Sequence, residues 1–147
     1  MTTAADGILD TSTLILLNEL VDEVQLPEYP VISSITLAEL SVGPLVAKTE
    51  HERKVRQLHL QLAESEFDSL PFNESAARIY GGIAAELRNS GSKRKARAFD
   101  TLIAAIAIAH QLPLYTVNPS DFAGISDLDV RAVPHPQPLN SAASGRA

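Results

Sequence analysis

Two patterns of apolar and polar positions alternate along the chain. Short apolar runs, bounded by polar or turn-forming residues, predict strands at 7–10, 31–33, 67–71, 114–117 and 130–133. Between these runs, apolar residues recur every three or four positions, which is typical of amphipathic helices. The spacing predicts helices over 12–24, 51–65, 73–89 and 99–109, and another that is capped by Ser34 or Thr36 and ends near Ala47.

The same spacing indicates which side of each helix faces the core. In the second and third helices the residues predicted to be buried are Leu37, Leu40, Leu45, Val55, Leu58 and Leu62. The fourth helix carries two apolar stripes, formed by Ile79, Ile83 and Leu87 and by Ala76, Tyr80 and Ala84. Gly81 and Gly82 within it predict a point of close packing. The segment 99–109 is nearly all apolar and is therefore predicted to be the buried central helix.

Alternating strands and helices predict an α/β domain around a parallel sheet. We expect this domain to span residues 1–133. Pro134, Pro136 and Pro138 interrupt any regular element after it, and the end of the chain is small and polar. Residues 134–147 are therefore predicted to form a loosely attached C-terminal tail.

Composition narrows the class of protein. The 147 residues are 45% hydrophobic, as in globular chains, and contain no cysteine, which excludes disulfides, thiolate zinc sites and cysteine nucleophiles. The longest apolar run, Leu102 to Ala109, is far shorter than the ~20 residues that a membrane span needs. Asp6 and Asp10 precede any basic residue, unlike a signal peptide. We therefore expect a cytoplasmic protein without a membrane partner.

Several catalytic signatures are missing. No two of the four histidines are spaced i, i+4, so a helical HExxH zinc site is excluded. The stretch that begins at Gly124-Ile-Ser126 has Leu128 where a nucleophile elbow needs its second glycine. Neither a GxGxxG motif nor a phosphate-binding P-loop is present. Serine–histidine hydrolysis and nucleotide binding are therefore poorly supported.

Four carboxylates remain at junctions between strands and helices: Asp10, Glu39, Asp100 and Asp121. In a parallel sheet the carboxyl ends of the strands and the starts of the following helices lie on one edge, where such folds place their sites. Clustered carboxylates repel one another and imply a cation. Oxygen ligands suit Mg²⁺ or Mn²⁺, and a pair of such ions ~3.5–4 Å apart supports phosphodiester cleavage.

Each acid also has a purely structural interpretation. Asp10 could cap the next helix, Glu39 could close a capping box with the Thr36 amide, Asp100 could complement the positive end of its helix, and Asp121 could cap a turn. Two details favour a site instead. Asp10 and Asp100 both stand in apolar surroundings, where an unpaired charge is costly.

Four segments, in this order, resemble the motifs of PIN-domain ribonucleases, and more narrowly the VapC-type toxins of bacterial toxin–antitoxin pairs. They are the stretches Ile-Leu-Asp10-Thr-Ser-Thr, Leu-Ala-Glu39-Leu-Ser-Val-Gly, Arg97-Ala-Phe-Asp100-Thr-Leu-Ile and Thr116-Val-Asn118-Pro-Ser-Asp121-Phe. The resemblance covers residues 6–133. It implies a three-layer α/β/α fold and a Mg²⁺- or Mn²⁺-dependent endoribonuclease that acts on RNA, is dimeric, and is held inactive by a cognate VapB-type antitoxin.

The resemblance also implies roles for individual residues. Asp10, Glu39, Asp100 and Asp121 match the acidic quartet of the family, and Ser12, Thr116 and Asn118 match its supporting polar positions. Some family members have Asp at the position of Asn118, so one potential ligand is less charged here.

Charge bears on RNA binding in two ways. The net charge of −6 argues against non-specific binding of nucleic acid. However, Lys93, Arg94, Lys95 and Arg97 immediately precede Asp100, and we expect this run to contact RNA unless it is a solvated loop. Arg53, Lys54 and Arg56 form a second basic cluster.

Two other functions compete with the nuclease. A catalytically inactive PIN-fold module that binds RNA or protein is the alternative, and the intact acidic quartet disfavours it. A haloacid-dehalogenase-like phosphatase needs a second acid two residues after Asp10, where this chain has Ser12.

Overall fold

Five strands form one parallel sheet within residues 6–20, 25–91 and 98–136, the part of the chain that the computed structural model describes. The strands are β1 (Asp6–Leu9), β2 (Tyr29–Ser33), β3 (Ser69–Leu70), β4 (Leu114–Thr116) and β5 (Val130–Ala132). Their order across the sheet is β3-β2-β1-β4-β5, and every neighbouring pair is parallel. The predicted parallel sheet is confirmed.

Helices connect these strands and cover the sheet. They are α1 (Thr11–Ile15), α2 (Ser34–Leu45), α3 (Glu50–Glu66), α4 (Glu74–Asn89) and α5 (Ala98–Ala109). Short 3₁₀ turns lie at Leu17–Glu19 and Pro119–Phe122. Each of the four predicted helices after the first is present to within a few residues of its predicted ends.

The sheet divides the apolar core into two halves. Successive residues of a strand point to opposite faces. Accordingly, Ile8 and Leu114 pack in one cluster with α4 and α5, whereas Leu9 and Tyr115 pack in the other with α1, α2 and α3. The arrangement is the three-layer α/β/α fold that the family resemblance implies.

Helix α5 is the buried central helix, as predicted. Five consecutive residues from Ile103 to Ala107 have no exposed surface. They pack against the apolar stripes of α4, where Ala76 and Ile83 are buried and Ile79, Tyr80 and Leu87 are partly covered. The first turn of α5, which carries Asp100, is thereby fixed relative to the sheet.

The first helix is shorter than predicted. It ends at Ile15, a 3₁₀ turn follows, and Leu20 is extended; residues 21–24 of the predicted helix lie outside the described residues. Leu14, Leu16, Leu17 and Leu20 all pack against the same core cluster. A continuous helix at 100° per residue would direct Leu16 and Leu20 away from Leu14, so packing of all four requires the break.

Several local predictions for the helices are wrong. Leu45 is 84% exposed, and Val55 and Leu58 are also exposed, because α2 and α3 contact the core and each other through Leu40, Leu60 and Ala63 instead. Ser33, rather than Ser34 or Thr36, caps α2. Gly81 and Gly82 are no close-packing point within the described chain, since a Cβ at either would meet nothing within 4 Å.

The end of the domain follows the last strand. Val133 is buried, and its N–H donates a hydrogen bond to the Thr116 carbonyl at 2.8 Å. Pro134 and His135 are exposed, and residues 137–147 of the predicted tail lie outside the described part of the chain. No helix among the described residues is long and apolar enough to cross a membrane.

Candidate metal centre

Asp10 stands at the carboxyl end of β1 and is the N-cap of α1, so its structural interpretation also holds. The residue is only 2% exposed. Its Oδ1 accepts hydrogen bonds from the Thr13 N–H at 3.2 Å and from the Thr13 hydroxyl, and its Oδ2 accepts from Thr116 Oγ1 at 2.8 Å and Ser12 Oγ at 3.3 Å. All these donors are neutral.

Burial therefore dominates the ionisation of this carboxyl. Loss of hydration raises the pKa of Asp10, and the hydrogen bonds from Thr13, Thr116 and Ser12 lower it only in part. A buried carboxylate that is stabilised by neutral donors alone lacks a counter-charge. The environment of Asp10 consequently favours the arrival of a cation.

Thr13 and Thr116 connect Asp10 by hydrogen bonds to β4 and to the residues that follow it. The Thr13 hydroxyl accepts a hydrogen bond from the Val117 N–H at 3.0 Å, and the Thr116 hydroxyl accepts one from the Asn118 N–H at 2.9 Å. The Asn118 side-chain amide in turn donates to Ser12 Oγ at 3.1 Å. Ser12 and Thr116 thus contact the Asp10 carboxylate directly, and Asn118 is connected to it through Ser12.

Thr13 is a contact of Asp10 that is absent from the residues predicted for the site. Its position in the sequence is nevertheless informative, because a hydroxyl residue three positions after an N-cap acid lies within reach of that acid. Thr13 has no exposed surface. Its hydroxyl donates a hydrogen bond to Asp10 Oδ1 and accepts one from the N–H of Val117, the residue that follows β4.

The other three acids share one cleft. The cleft has a volume of about 400 Å³ and is lined by Thr11, Ser12, Ile15, Glu39, Ala98, Phe99, Asp100 and Asp121. Asp10 is joined to this cleft through Ser12, which lines it and donates a hydrogen bond to the Asp10 carboxylate. The structure therefore brings all four predicted acids to the same edge of the sheet.

Glu39 does not form the capping box that its spacing from Thr36 suggested. The Thr36 N–H donates to Ser33 Oγ at 3.1 Å instead. Glu39 Oε1 accepts a hydrogen bond from the Thr11 hydroxyl at 2.6 Å, and Thr11 also contacts the Thr36 hydroxyl at 2.9 Å. The contact with Thr11 ties α2 to the first turn of α1 and holds Glu39 at the cleft.

The remaining acids come from the second half of the chain. Asp100 lies in the first turn of α5, and Asp121 lies in the 3₁₀ turn after β4; both are half-buried. The Asp121 N–H donates to the Asn118 carbonyl at 3.0 Å, which fixes the turn next to the Asn118–Ser12 contact. The loop after β4 therefore carries both a supporting amide and an acid.

The donor chemistry of the cleft fits a hard divalent cation. Carboxylate and hydroxyl oxygens are the ligands that Mg²⁺ and Mn²⁺ prefer. Among the described residues, the groups that donate hydrogen bonds to the buried Asp10 carry no charge. Within the described ranges, however, no three acidic or histidine side chains are gathered closely enough to hold an ion together. The acids of the cleft therefore offer suitable oxygen ligands, but in this arrangement they do not surround a single ion position.

Of the two basic clusters in the sequence, the structure describes only the one on α3. Lys93, Arg94, Lys95 and Arg97 lie outside the described residues. In the second cluster, Arg53 pairs with Glu50, while Arg56 pairs with Glu52 at 2.8 Å and donates to the Gly43 carbonyl. Two of the three charges in the second cluster are therefore compensated within the chain, which weakens it as an RNA contact.

Comparison with known proteins gives a consistent result. A family model described as PIN domain matches residues 8–127. Ribonuclease VapC5 of Mycobacterium tuberculosis is 36% identical over 126 residues, which cover 84% of this chain and 90% of that protein. The crystal structure of VapBC-5, a toxin–antitoxin system of the same organism, matches with a TM-score of 0.73 and 30% identity over 88% of this chain and 99% of that one. VapBC2 from Rickettsia felis, solved with a DNA fragment from its promoter, has a TM-score of 0.68 and 26% identity over 86% and 98%.

The fold and site by themselves define a class: a three-layer domain whose acidic cleft lies at the carboxyl ends of parallel strands. The similarity extends over most of this chain and nearly all of its relatives. The chain therefore belongs to the PIN domain family and, within that family, to the VapC ribonucleases.

Proposed function

We propose that this chain is a metal-dependent endoribonuclease toxin that hydrolyses phosphodiester bonds of RNA at the acidic cleft. One observation carries the proposal. A fully buried carboxylate, Asp10, is held by neutral donors beneath a cleft lined by Glu39, Asp100 and Asp121. Membership of the VapC ribonucleases supports RNA as the substrate.

The four acids would hold Mg²⁺ or Mn²⁺. Such an ion supplies positive charge that stabilises the attacking and leaving oxygens of the phosphodiester. Thr13 and Thr116 hold the Asp10 carboxylate in one orientation, and the Thr11 hydroxyl does the same for Glu39. Asn118 carries no charge, so it orients Ser12 without adding to the repulsion among the acids. The products would carry a 5′-phosphate and a 3′-hydroxyl.

In this proposal RNA is bound by the basic run Lys93, Arg94, Lys95 and Arg97. It directly precedes α5, whose first turn carries Asp100. Because these cations come just before Asp100 in the sequence, they would bind the phosphates on either side of the scissile bond and offset the acidic charge of the chain.

Cleavage tests the proposal directly. Purified chain should cleave a pool of single-stranded RNA with Mg²⁺ or Mn²⁺ and stop when EDTA is added. Asp100→Asn removes charge with little change in volume and should abolish cleavage while the fold, monitored by circular dichroism, is retained. Sequencing of the new RNA 5′ ends then identifies the site of cleavage. Full activity in EDTA would contradict metal dependence.

The inactive binding module is the second candidate, and one observation favours it: the described acids form no closed ligand shell. The same experiment separates the two. RNA that is bound but uncut with Mg²⁺, Mn²⁺ or a mixture of both would establish the module and reject the enzyme.

For the partners, we propose a VapB-type antitoxin and a second copy of this chain, which use different apolar surfaces. Leu14, Leu17, Leu40, Leu62 and Phe67 line a groove of about 230 Å³ between α1, α2 and α3, which suits an apolar antitoxin segment. A separate set of exposed residues, here called the hairpin patch, lies on α2, at its C-cap and on α3. It comprises Val42, Leu45, Val46, Val55 and Leu58. We assign the hairpin patch to the homodimer.

Two leucines one helical turn apart provide matched variants. Leu62→Asp, in the groove, should weaken inhibition by the product of the adjacent upstream gene and leave the oligomeric state unchanged. Leu58→Asp, in the hairpin patch, should convert a dimer to a monomer in light scattering and leave inhibition intact. If both variants affect the same property, the assignment of two separate surfaces is wrong.

A further inference from the structure

A large aromatic side chain lies exposed at the rim of the acidic cleft. Phe99 is 52% exposed although it belongs to α5, which is buried from Ile103 to Ala107. It lines the same cleft as Asp100 and Asp121, together with Ile15 from α1, which is 38% exposed. Two apolar side chains from distant parts of the sequence therefore border the acids.

Exposure alone does not assign a role, because single apolar residues are common on protein surfaces. Tyr29 is even more exposed, at 61%, but it begins β2 and so lies at the opposite edge of the sheet from the acids. What distinguishes Phe99 is its place beside carboxylates in a concave site. The cleft volume of about 400 Å³ lies within the roughly 300–1,000 Å³ typical of small-ligand pockets and leaves room for a base beside a phosphate.

We propose that Phe99, flanked by Ile15, stacks on an unpaired nucleobase next to the scissile phosphate. The inference rests on the proposed function and specifies its substrate. A phosphate bound at the acids necessarily carries a nucleoside on each side, and an aromatic ring on the cleft wall offers a face to one of these bases. In a double helix the faces of the bases are covered by their neighbours, so the RNA must be single-stranded or looped at the cut.

RNA is a better occupant of this wall than an apolar protein segment. A protein covering Phe99 would also have to displace water from three carboxylates, which is unfavourable without a counter-charge. A nucleotide brings an apolar base face to the ring and a phosphate, with its cation, to the acids. The groove shares Ile15 with this cleft, but most of its other side chains are apolar and it contains a single acid, Glu66. The hairpin patch is formed by apolar side chains.

The test compares Phe99→Ala, Phe99→Leu and Phe99→Trp with the matched control Tyr29→Ala. Single-turnover cleavage of a randomised single-stranded RNA pool is measured with Mg²⁺ over a range of protein concentrations. Loss of one stacking contact should raise the half-saturating concentration of Phe99→Ala about 5- to 150-fold. The maximal rate should stay within about threefold of wild type. Tryptophan should preserve tight binding, leucine should be intermediate, and Tyr29→Ala should behave as wild type.

Sequencing of the cut ends supplies a readout that a structural role would not change. Wild type should prefer the larger purine bases at one nucleotide beside the cut, and Phe99→Ala should lose that preference. Identical half-saturation and base preference in Phe99→Ala and Tyr29→Ala would overturn the inference. So would unchanged RNA cleavage with lost inhibition by the antitoxin, which would make Phe99 a protein contact.

RNA cleavage by the wild-type protein tests the proposed function separately from the stacking contact. If wild type cuts no RNA with any divalent metal, the enzyme proposal is rejected. Binding of the same RNA pool then decides the stacking proposal, with Phe99→Ala again expected to bind more weakly than Tyr29→Ala.

Discussion

At the scale of single residues, the stability of this chain should depend on the charge of Asp10. Burial raises the pKa of Asp10 in the folded state above its value in the unfolded chain. Its contribution to stability is then full below the unfolded pKa and is lost as the pH rises through the folded pKa. Without metal, the raised pKa of Asp10 therefore means that burial of this carboxyl lowers the stability of the fold at neutral pH relative to acidic pH.

Replacement of this carboxyl by an amide makes the effect measurable. In EDTA at pH 7, Asp10→Asn should melt at a higher temperature than wild type, and the difference should shrink as the pH falls toward 4. Mg²⁺ should raise the melting temperature of wild type but not of the variant, which should also be inactive in RNA cleavage. A variant that melts lower than wild type at pH 7 would show that Asp10 acts chiefly as a helix cap.

At the scale of elements, replacing a glycine by alanine should change the free energy of unfolding in opposite directions in β1 and in α4. In β1, a Cβ on Gly7 would lie 2.5 Å from the Tyr115 ring and 2.9 Å from Pro27, so Gly7→Ala should destabilise the fold by about 1–3 kcal/mol. In α4, a Cβ on Gly82 would meet nothing within 4 Å. Gly82→Ala should therefore stabilise the helix by about 0.5–1 kcal/mol.

Urea unfolding of both variants, at a protein concentration where the wild type is monomeric, measures these differences. The comparison isolates packing in a strand from helix propensity, because the same methyl group is added in each case. A Gly82→Ala variant that is destabilised would mean that another part of the chain or a second copy covers this face of α4.

At the scale of the whole molecule, RNA affinity should depend on the basic run before α5 and not on the summed charge of −6. Changing Lys93, Arg94 and Lys95 to alanine should weaken binding. It should also flatten the salt dependence by roughly 2 in the log–log slope, since each phosphate contact on single strands contributes ~0.7. Cleavage at saturating RNA should persist.

Arg53→Ala is the matched control for this prediction. The Arg53 guanidinium is paired with Glu50 on α3, so its loss should leave the salt slope unchanged. Fluorescence anisotropy with a labelled single-stranded RNA, titrated over a range of salt concentrations, measures both slopes. Equal slopes for the triple variant and wild type would identify the run as a solvated loop.

The sequence by itself determined those features that depend on neighbouring residues. Apolar spacing gave the order of strands and helices and the burial of α5, because an almost wholly apolar helix has only the interior to occupy. The four acids were recognisable because each lies near the end of a strand or near the start of a helix, positions that a parallel sheet gathers at one edge. The family resemblance rested on the same residues in the same order.

Tertiary packing alone decided the rest. Leu58, Leu60 and Leu62 look alike in sequence, but the contact of α3 with the core leaves Leu58 exposed and covers Leu60. Glu39 had a local partner in Thr36, yet it pairs with Thr11, 28 positions earlier, because the parallel register of β1 and β2 brings the starts of α1 and α2 together. Likewise, Phe99 lies in one cleft with Glu39 and Asp121 because α2, α5 and the turn after β4 all border that cleft. Such contacts join residues far apart in the chain, and local spacing carries no information about them.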